Sequence, residues 1–258
     1  MKILVTGATG FVGRALDVKL PACGYKIIPV VRKKSGLQDE IVLGNLDATT
    51  DWRANLSDCN AVVHLAARVH VMEDIASDPL TQYRQTNTDA TLNLARKAAQ
   101  AGVKRFVFLS SIKVNGEGRD APYRETDAPA PEDAYAISKW EAEQGLADIA
   151  RETGLEVVIL RPPLVYGPGV KANFLRLMQI VQKGWPLPLG AIHNRRSLLY
   201  LGNLVDAIRV CLEHPAAAGQ TFLLDDGQTV STPELIRAVA DALHRPARLL
   251  PVPVALLR

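Results

Sequence analysis

Apolar residues in the first two thirds of the chain fall into short unbroken runs. The runs are separated by stretches in which apolar positions recur at helical spacing. The runs at 3–5, 26–31, 40–43, 61–65, 105–109 and 155–160 have the length and the doubly buried character of parallel strands. Between them, Phe11, Val12, Ala15, Leu16, Val18 and Leu20 mark one helix. Ala90, Leu94 and Ala98 mark a long one over 79–101, and a third runs from about Tyr135 to Thr153, where Gly154 closes it. Regular strand–helix alternation predicts an α/β fold with a doubly wound parallel sheet of Rossmann type. Beyond Arg161 the pattern breaks. Pro162-Pro163, Gly167-Pro168-Gly169 and Trp185-Pro186-Leu187-Pro188 punctuate shorter pieces, which predicts a smaller C-terminal substrate lobe. The expected division is 1–165 and 166–258, with the second part interleaved with the first. The loop over 115–133 is rich in Gly, Pro and acids and has no periodicity, and loops of that length in compact domains often carry function.

Composition narrows the classes. With 258 residues, 48% hydrophobic and 22% charged, this is an ordinary globular chain. A formal charge of +3, with Lys and Arg scattered apart from Arg32-Lys33-Lys34 and Arg195-Arg196, gives no nucleic-acid footprint. No apolar run approaches the roughly 20 residues of a membrane helix, and the N-terminal run meets Gly7 too early for a signal peptide. A cytoplasmic protein is therefore expected. Cys23, Cys59 and Cys211 are odd in number and far apart, so they imply free, largely buried thiols and no metal site. His64 reads as a partly buried strand residue without a catalytic part.

Two patterns carry chemistry. Gly7, Gly10 and Gly13 join the first strand to the first helix. Such a turn lets a backbone approach a pyrophosphate, and the helix N-terminus offers free N–H groups and a positive dipole end. The spacing is Gly-x-x-Gly-x-x-Gly, but the mechanics match the commoner dinucleotide fingerprint. Tyr135 and Lys139 stand four apart on a helix, on one face, with Cβ atoms roughly 5–6 Å apart. A cation there favours the phenolate, which predicts a tyrosine pKa drawn down toward neutrality for proton exchange with a hydroxyl. After the second strand the chain runs into Arg32, Lys33 and Lys34. A cofactor with a free 2′-hydroxyl prefers an acid at that point. The basic run leans the expectation toward NADP(H), with NAD(H) as the alternative.

With these motifs and Ser111 in this order, the chain resembles the extended short-chain dehydrogenase/reductases, and within them the nucleotide-sugar epimerase, dehydratase and reductase branch. His64-Leu65-Ala66-Ala67, Asn87 in Asn-Thr-Asp-Ala-Thr, and Arg161-Pro162-Pro163-Leu164-Val165-Tyr166-Gly167-Pro168-Gly169 extend the resemblance over the whole chain. The resemblance implies a UDP-sugar substrate, a homodimer, and three catalytic residues. Tyr135 would be the acid/base, Lys139 the residue that binds the nicotinamide ribose and lowers the tyrosine pKa, and Ser111 a hydrogen-bond partner of the sugar oxygen. It further implies cofactor contacts from Gly7, Gly10, Phe11, Val12, Gly13, Arg32, Asn45, Leu46, Leu65, Ala66, Ala67, Asn87, Ser110 and Pro162, besides Tyr135 and Lys139. Asn173, Arg196 and, at the base, Leu189 would join Ser111 and Tyr135 in holding the nucleotide sugar.

Departures from the family pattern shape the expected activity. Dehydratases of this branch carry an Asp-Glu pair where Ile112-Lys113 stand, so water elimination is not expected. Asn115 replaces a common tyrosine and Leu164 a frequent asparagine, which leaves a polar contact unaccounted for. The segments 111–117 and 162–174 look most like reductases of UDP-4-keto-6-deoxy-N-acetylglucosamine that serve surface polysaccharide such as O-antigen. Reduction at sugar C4 is therefore the leading expectation, a UDP-glucose or UDP-N-acetylglucosamine 4-epimerase the alternative, and a non-catalytic NADP-binding regulator a minor one. The chain stops on the apolar start of a helix at Val254-Ala255-Leu256, which is read as a truncated C-terminal lobe.

Overall fold

The computed structural model describes residues 1–69, 78–119 and 121–256. Cα packing divides the chain into two compact units, Met1–Pro162 with Leu204–Leu224, and Pro163–Asn203 with Asp225–Arg258.

The first unit is built on a seven-stranded, all-parallel sheet. Its strands are β1 (Lys2–Thr6), β2 (Lys26–Val31), β3 (Ile41–Val42), β4 (Ala61–His64), β5 (Arg105–Leu109), β6 (Glu156–Arg161) and, from much later in the chain, β9 (Thr221–Leu223). Their order in space is β3-β2-β1-β4-β5-β6-β9, so the direction of winding reverses between β1 and β4. In sheets of this kind ligands bind outside the carboxyl ends of the strands at that reversal. Pro29 sits inside β2 without an N–H to donate. It is tolerated because β3 begins pairing only at Val30. One apolar cluster covers a face of the sheet, with Leu4, Val62, Phe106 and Phe108 from strands packed on Trp52, Leu56, Leu94, Ala98, Leu146 and Ile149.

Helix α1 (Phe11–Ala22) follows β1, though Val18, expected on its apolar stripe, is 75% exposed. The long helix expected over 79–101 is interrupted. It comprises α2 (Pro79–Tyr83), a π-helical segment Arg84–Asp89 and α3 (Ala90–Gln100). The apolar stripe survives because the extra residues of the π segment fall where Asn87 and Thr88 are buried. Helix α4 (Ala134–Thr153) is capped by Asp133, whose carboxylate accepts from the Ala136 N–H at 2.7 Å, and ends at Gly154 in the left-handed conformation. The loop before it is cross-linked despite its lack of periodicity. Arg119 pairs with Asp127 and stacks over Tyr123, and Ala130 N–H donates to the Val114 carbonyl.

The second unit holds a three-stranded sheet in the order β10-β8-β7, formed by β7 (Leu164–Tyr166), β8 (Arg196–Tyr200) and β10 (Thr229–Val230). Strands β7 and β8 run parallel, while β10 runs against β8. Helices α5 (Ala172–Gln182) and α7 (Thr232–Ala242) bury Phe174, Val181, Ile236, Val239 and Ala240 as a separate core. A capping box between Ser231 and Glu234 starts α7. Helix α6 (Leu201–Glu213) spans the boundary between the units. Among the described residues no helix is long and apolar enough to cross a membrane. Of the three free thiols Cys59 and Cys211 are buried, but Cys23 is exposed at the end of α1.

Candidate active site

The carboxyl ends of β1, β4 and β5 carry the glycine turn, the Leu65–Ala67 segment and the Ser110–Ser111 pair, so three of the expected groups converge on one edge of the sheet. The glycines are there for space. Gly7 has φ 68°, and a Cβ on it would lie 2.8 Å from the Ala66 N and 2.9 Å from the Leu65 carbonyl carbon. A Cβ on Gly13 would lie 2.3 Å from the Gly7 carbonyl oxygen, so α1 starts in direct backbone contact with the turn. Gly10 caps α1 without any side-chain oxygen, which leaves the N–H groups of the first helical turn, from Phe11, Val12 and Gly13, open to an anion. These residues fit a dinucleotide pyrophosphate: the concavity is one that added side chains would fill, and its donors are uncapped.

Behind the cradle lies a polar relay. Thr6 Oγ1 is 2.7 Å from His64 Nδ1, His64 Nε2 is 2.9 Å from Thr91 Oγ1, and Thr91 donates to the Asn87 carbonyl at 2.7 Å. Since the Thr91 proton is used on Asn87, His64 Nε2 is the donor and Nδ1 accepts from Thr6. The Thr6 oxygen in turn accepts from the N–H groups of Leu65 and Ala66, both at 3.2 Å. His64 is fully buried, where partial burial was expected, and burial, with the Lys139 charge second, draws its pKa down to about 3. It is a neutral spacer that holds the β4 turn. Asn87 has the same kind of part. Its amide donates to the Arg68 carbonyl and to Ser138 Oγ, both at 3.0 Å, and accepts from the Arg68 N–H at 2.7 Å. Both its donors are spent on the fold, so it shapes the Leu65–Arg68 segment. The segment that follows, 70–77, lies outside the described residues.

Helix α4 brings Tyr135 and Lys139 to the same edge. Tyr135 is half-buried, packs edge-on against Tyr83 with ring centroids 6.3 Å apart, and has Ser111 near enough to favour its phenolate. Ser111 opens a 3₁₀ turn, Ile112–Asn115, and its Oγ accepts from the Lys113 N–H at 3.3 Å, which leaves its own proton for the phenol oxygen or for a ligand. Lys139 is fully buried, donates to the Leu109 carbonyl at 2.9 Å and lies 4.5 Å from the Phe108 ring centroid.

The electrostatics correct the expectation of a phenol drawn toward neutrality by Lys139. Burial pushes Tyr135 up to about 12, the Ser111 hydrogen bond opposes this, Asp133 adds to it and Lys113 subtracts from it. Burial also pulls Lys139 down to about 7, with Glu143 opposing. The lysine is therefore a half-protonated group directed at a strand-end carbonyl, and the cation that acts on the phenol is Lys113.

Ser110, expected among the cofactor contacts, spends its proton on Glu143. That carboxylate is also gripped by Arg161, whose Nε lies 3.0 Å away, and Arg161 Nη1 donates to Asn115 Oδ1 at 2.9 Å. Asn115 is buried and spends its amide oxygen on Arg161. Pro162, at the end of β6, accepts from the Ile112 N–H at 3.0 Å. Leu46 is half-buried against the core, whereas Asn45 and Arg32 are exposed, Arg32 just past β2. In the second unit, Asn173 lies exposed in the first turn of α5. That helix has no side-chain cap and begins at Ala172 with φ 54°. Arg196 is the exposed first residue of β8, and Leu189 is half-buried beside Gly190, whose N–H donates to the Leu250 carbonyl at 2.9 Å. Tyr166, Tyr200 N–H and Asn203 all converge on Asp226, which fixes the segment after Arg196. The motifs contain Tyr135 and Ser111 but give no sign of the links Lys113–Asp133, Ser110–Glu143 and Thr6–His64, whose members are 20 or more residues apart.

A doubly wound parallel sheet with a glycine cradle at its reversal and a Ser–Tyr–Lys constellation on its edge defines an extended short-chain dehydrogenase/reductase. The family model described as "NAD dependent epimerase/dehydratase family" matches residues 3–224, and the chain belongs to that family of enzymes. A UDP-glucose 4-epimerase of Vibrio cholerae is 50% identical over 98% of this chain and 79% of its own length. Among solved structures, MoeE5 in complex with UDP-glucose and NAD superposes with a TM-score of 0.83 at 26% identity, over 97% of this chain and 84% of that one. The UDP-N-acetylglucosamine 4-epimerase of Bacillus cereus gives 0.84 at 25% identity, over 97% and 84%.

Proposed function

We propose that this protein is an NAD(H)-dependent 4-epimerase of a UDP-linked hexose. The observation that carries the reading is Tyr135 on α4 and Ser111 after β5 brought to one sheet edge, in a chain half of whose residues are those of a UDP-glucose 4-epimerase. Bound at the cradle, a nicotinamide dinucleotide supplies a hydride acceptor that returns the hydride to the sugar. The chain's own residues do the rest. Gly7, Gly10 and Gly13 admit the pyrophosphate to the α1 N-terminus, and Leu65–Ala67 leave room beside it. Tyr135 in its ionised form, which Ser111 and Lys113 favour against burial, takes the proton of the C4 hydroxyl as that carbon is oxidised and gives it back on reduction. Ser111 donates to the same oxygen, where charge develops. Lys139 lies behind the site, with one N–H donated to the Leu109 carbonyl and the others proposed to hold the ribose hydroxyls. Asn173, Arg196 and Leu189 are the residues proposed to hold the UDP moiety, a guanidinium fork suiting a diphosphate.

The NADP(H) reading rests on Arg32-Lys33-Lys34, of which Arg32 is exposed just past β2 with no acid beside it. NAD in the MoeE5 complex supports NAD(H) instead. The same basic run is what favours a second reading, one-way reduction of a UDP-4-keto-6-deoxy sugar with exchangeable NADPH for polysaccharide synthesis. One assay separates them. Purified protein should convert UDP-glucose to UDP-galactose with no added reductant, and release NAD on denaturation. Consumption of NADPH with a 4-keto sugar, together with inertness toward UDP-glucose, would replace the epimerase reading by the reductase one. Unchanged turnover by Tyr135→Phe would reject both.

A further inference from the structure

Lys113, to which the sequence gives no role, reaches the Ser111 hydroxyl directly and the start of the Tyr135 helix through Asp133. Its backbone N–H donates to Ser111 Oγ at 3.3 Å. Its ammonium lies 2.7 Å from Asp133 Oδ2 and 2.7 Å from Glu117 Oε1. Asp133 uses its other oxygen, 2.7 Å from the Ala136 N–H, to cap α4 two residues before Tyr135. The 3₁₀ turn and the helix cap need no lysine. A half-exposed pair of this kind is worth about 1 kcal/mol or less to folding. The pair, however, is anchored at the start of the helix that carries Tyr135, with Asp133 two residues before it. The groups whose charge or polarity acts on Tyr135 are Tyr83 from α2, Ser111 and Lys113 from the turn after β5, and Asp133 from the start of α4. Lys139, one turn on, is directed at the Leu109 carbonyl.

We infer that Lys113 is a positioning residue for the reaction: its N–H orients the Ser111 hydroxyl, and its ammonium, clamped on the Asp133 cap, screens the carboxylate beside Tyr135. The inference rests on Tyr135 as the proton carrier. Asp133 disfavours the phenolate and Lys113 favours it. Removing the lysine charge therefore leaves the Asp133 carboxylate less screened from Tyr135, and removing the carboxylate charge does the reverse.

The test is a pair of neutralising variants in the full-length protein, Lys113→Gln and Asp133→Asn, their combination, and Lys113→Arg. Asparagine keeps the helix cap. The Tyr135 phenolate is read by ultraviolet difference absorbance against the same background carrying Tyr135→Phe. The limb on which kcat/KM for UDP-glucose rises with pH, governed by ionisation of the proton-accepting group, is read in parallel. Lys113→Gln should move the titration up by about half a pH unit and Asp133→Asn down by about as much. The double variant should return near the parent, and Lys113→Arg should leave it in place. Shifts of both single variants in the same direction, or none in either, overturn the inference, since a merely structural role would lower activity without opposite shifts. If Lys113→Gln misfolds by circular dichroism, the direction of Asp133→Asn decides. The titration does not depend on turnover, so its outcome is distinct from that of the proposed function, which stands or falls on the activity of Tyr135→Phe.

Discussion

Lys139 and His64 are two buried bases whose titrations have been displaced, and each leaves a signature in stability. His64 is held neutral, with a folded pKa of about 3 against an ordinary 6.5. As pH falls below about 6.5 the unfolded chain binds a proton that the folded chain refuses until about pH 3, so stability is lost through that window. The slope approaches about 1.4 kcal/mol per pH unit. Between pH 5 and 6.5 most carboxylates are still ionised, and His64→Asn should flatten the slope there in denaturant unfolding series. Lys139 has the opposite window. With a folded value of about 7 against 10.5, it is protonated in the unfolded chain and not in the folded one above neutrality. Stability therefore rises as pH climbs from about 7 to 10.5, and the full cost is present at pH 7 and below. Lys139→Met, which keeps the length of the side chain, should lose turnover while gaining of the order of a few kcal/mol at pH 7, offset in part by the stranded Leu109 carbonyl. A raised melting temperature in an inactive variant is the outcome to look for. Spacing singled out Tyr135 and Lys139 as candidates, and the family resemblance added Ser111. Their charges were not legible, because a pKa depends on burial and on groups such as Lys113 and Asp133, which lie 22 and 2 residues from Tyr135 in sequence and meet only in the fold.

At the scale of elements, the glycine turn was legible because its function is to lack atoms, and only glycine provides that. The three glycines are nevertheless unequal. A Cβ on Gly13 would strike the Gly7 oxygen at 2.3 Å and the Ala8 carbonyl carbon at 2.7 Å, all backbone. Gly13→Ala must push α1 off β1 and should cost about 1–3 kcal/mol in denaturant unfolding. On Gly10 the nearest atom would be the Gly7 oxygen at 3.0 Å, so Gly10→Ala should cost little stability and act on the cofactor side, weakening NAD retention. Equal destabilisation by the two would contradict this division between packing and binding. The interrupted helix after residue 78 shows where legibility ends. Ala90, Leu94 and Ala98 keep their stripe, so nothing in the periodicity reveals the π segment Arg84–Asp89, which is stabilised by distant bonds from Asn87 and Thr88 to Ser138. Strand β9 was missed for a related reason, since three half-buried residues carry no pattern of their own.

β9 decides how the whole molecule has to fold. The chain leaves the first unit after Pro162, contributes to the second, and returns as residues 204–224 to complete the first. In that return Leu204, Val205, Ile208, Cys211 and Leu212 of α6 are buried, β9 pairs with β6 from Ile159↔Thr221 to Arg161↔Leu223, and the carbonyls of Cys211 and His214 accept from Arg105. Arg105 is itself 5% exposed and paired with Glu156 at 2.6 Å. A fragment ending at residue 165, the boundary suggested by the change in composition, lacks all of this. It leaves the full edge of β6 open, strips an apolar face and removes acceptors from a buried guanidinium, each a cost of kcal/mol magnitude against a total stability of about 5–15 kcal/mol. Residues 1–165 alone should therefore lack a cooperative thermal transition and should associate through the bare edge. A chain of residues 1–162 joined by a short flexible linker to 204–224 should melt cooperatively, as seen by circular dichroism. It should also retain NAD, whose proposed cradle lies wholly within the first unit, while losing turnover along with the residues proposed to hold UDP. Cooperative melting of the shorter fragment would mean that the first unit does not depend on the returning segment, and that the two units are joined in sequence order rather than interleaved for folding.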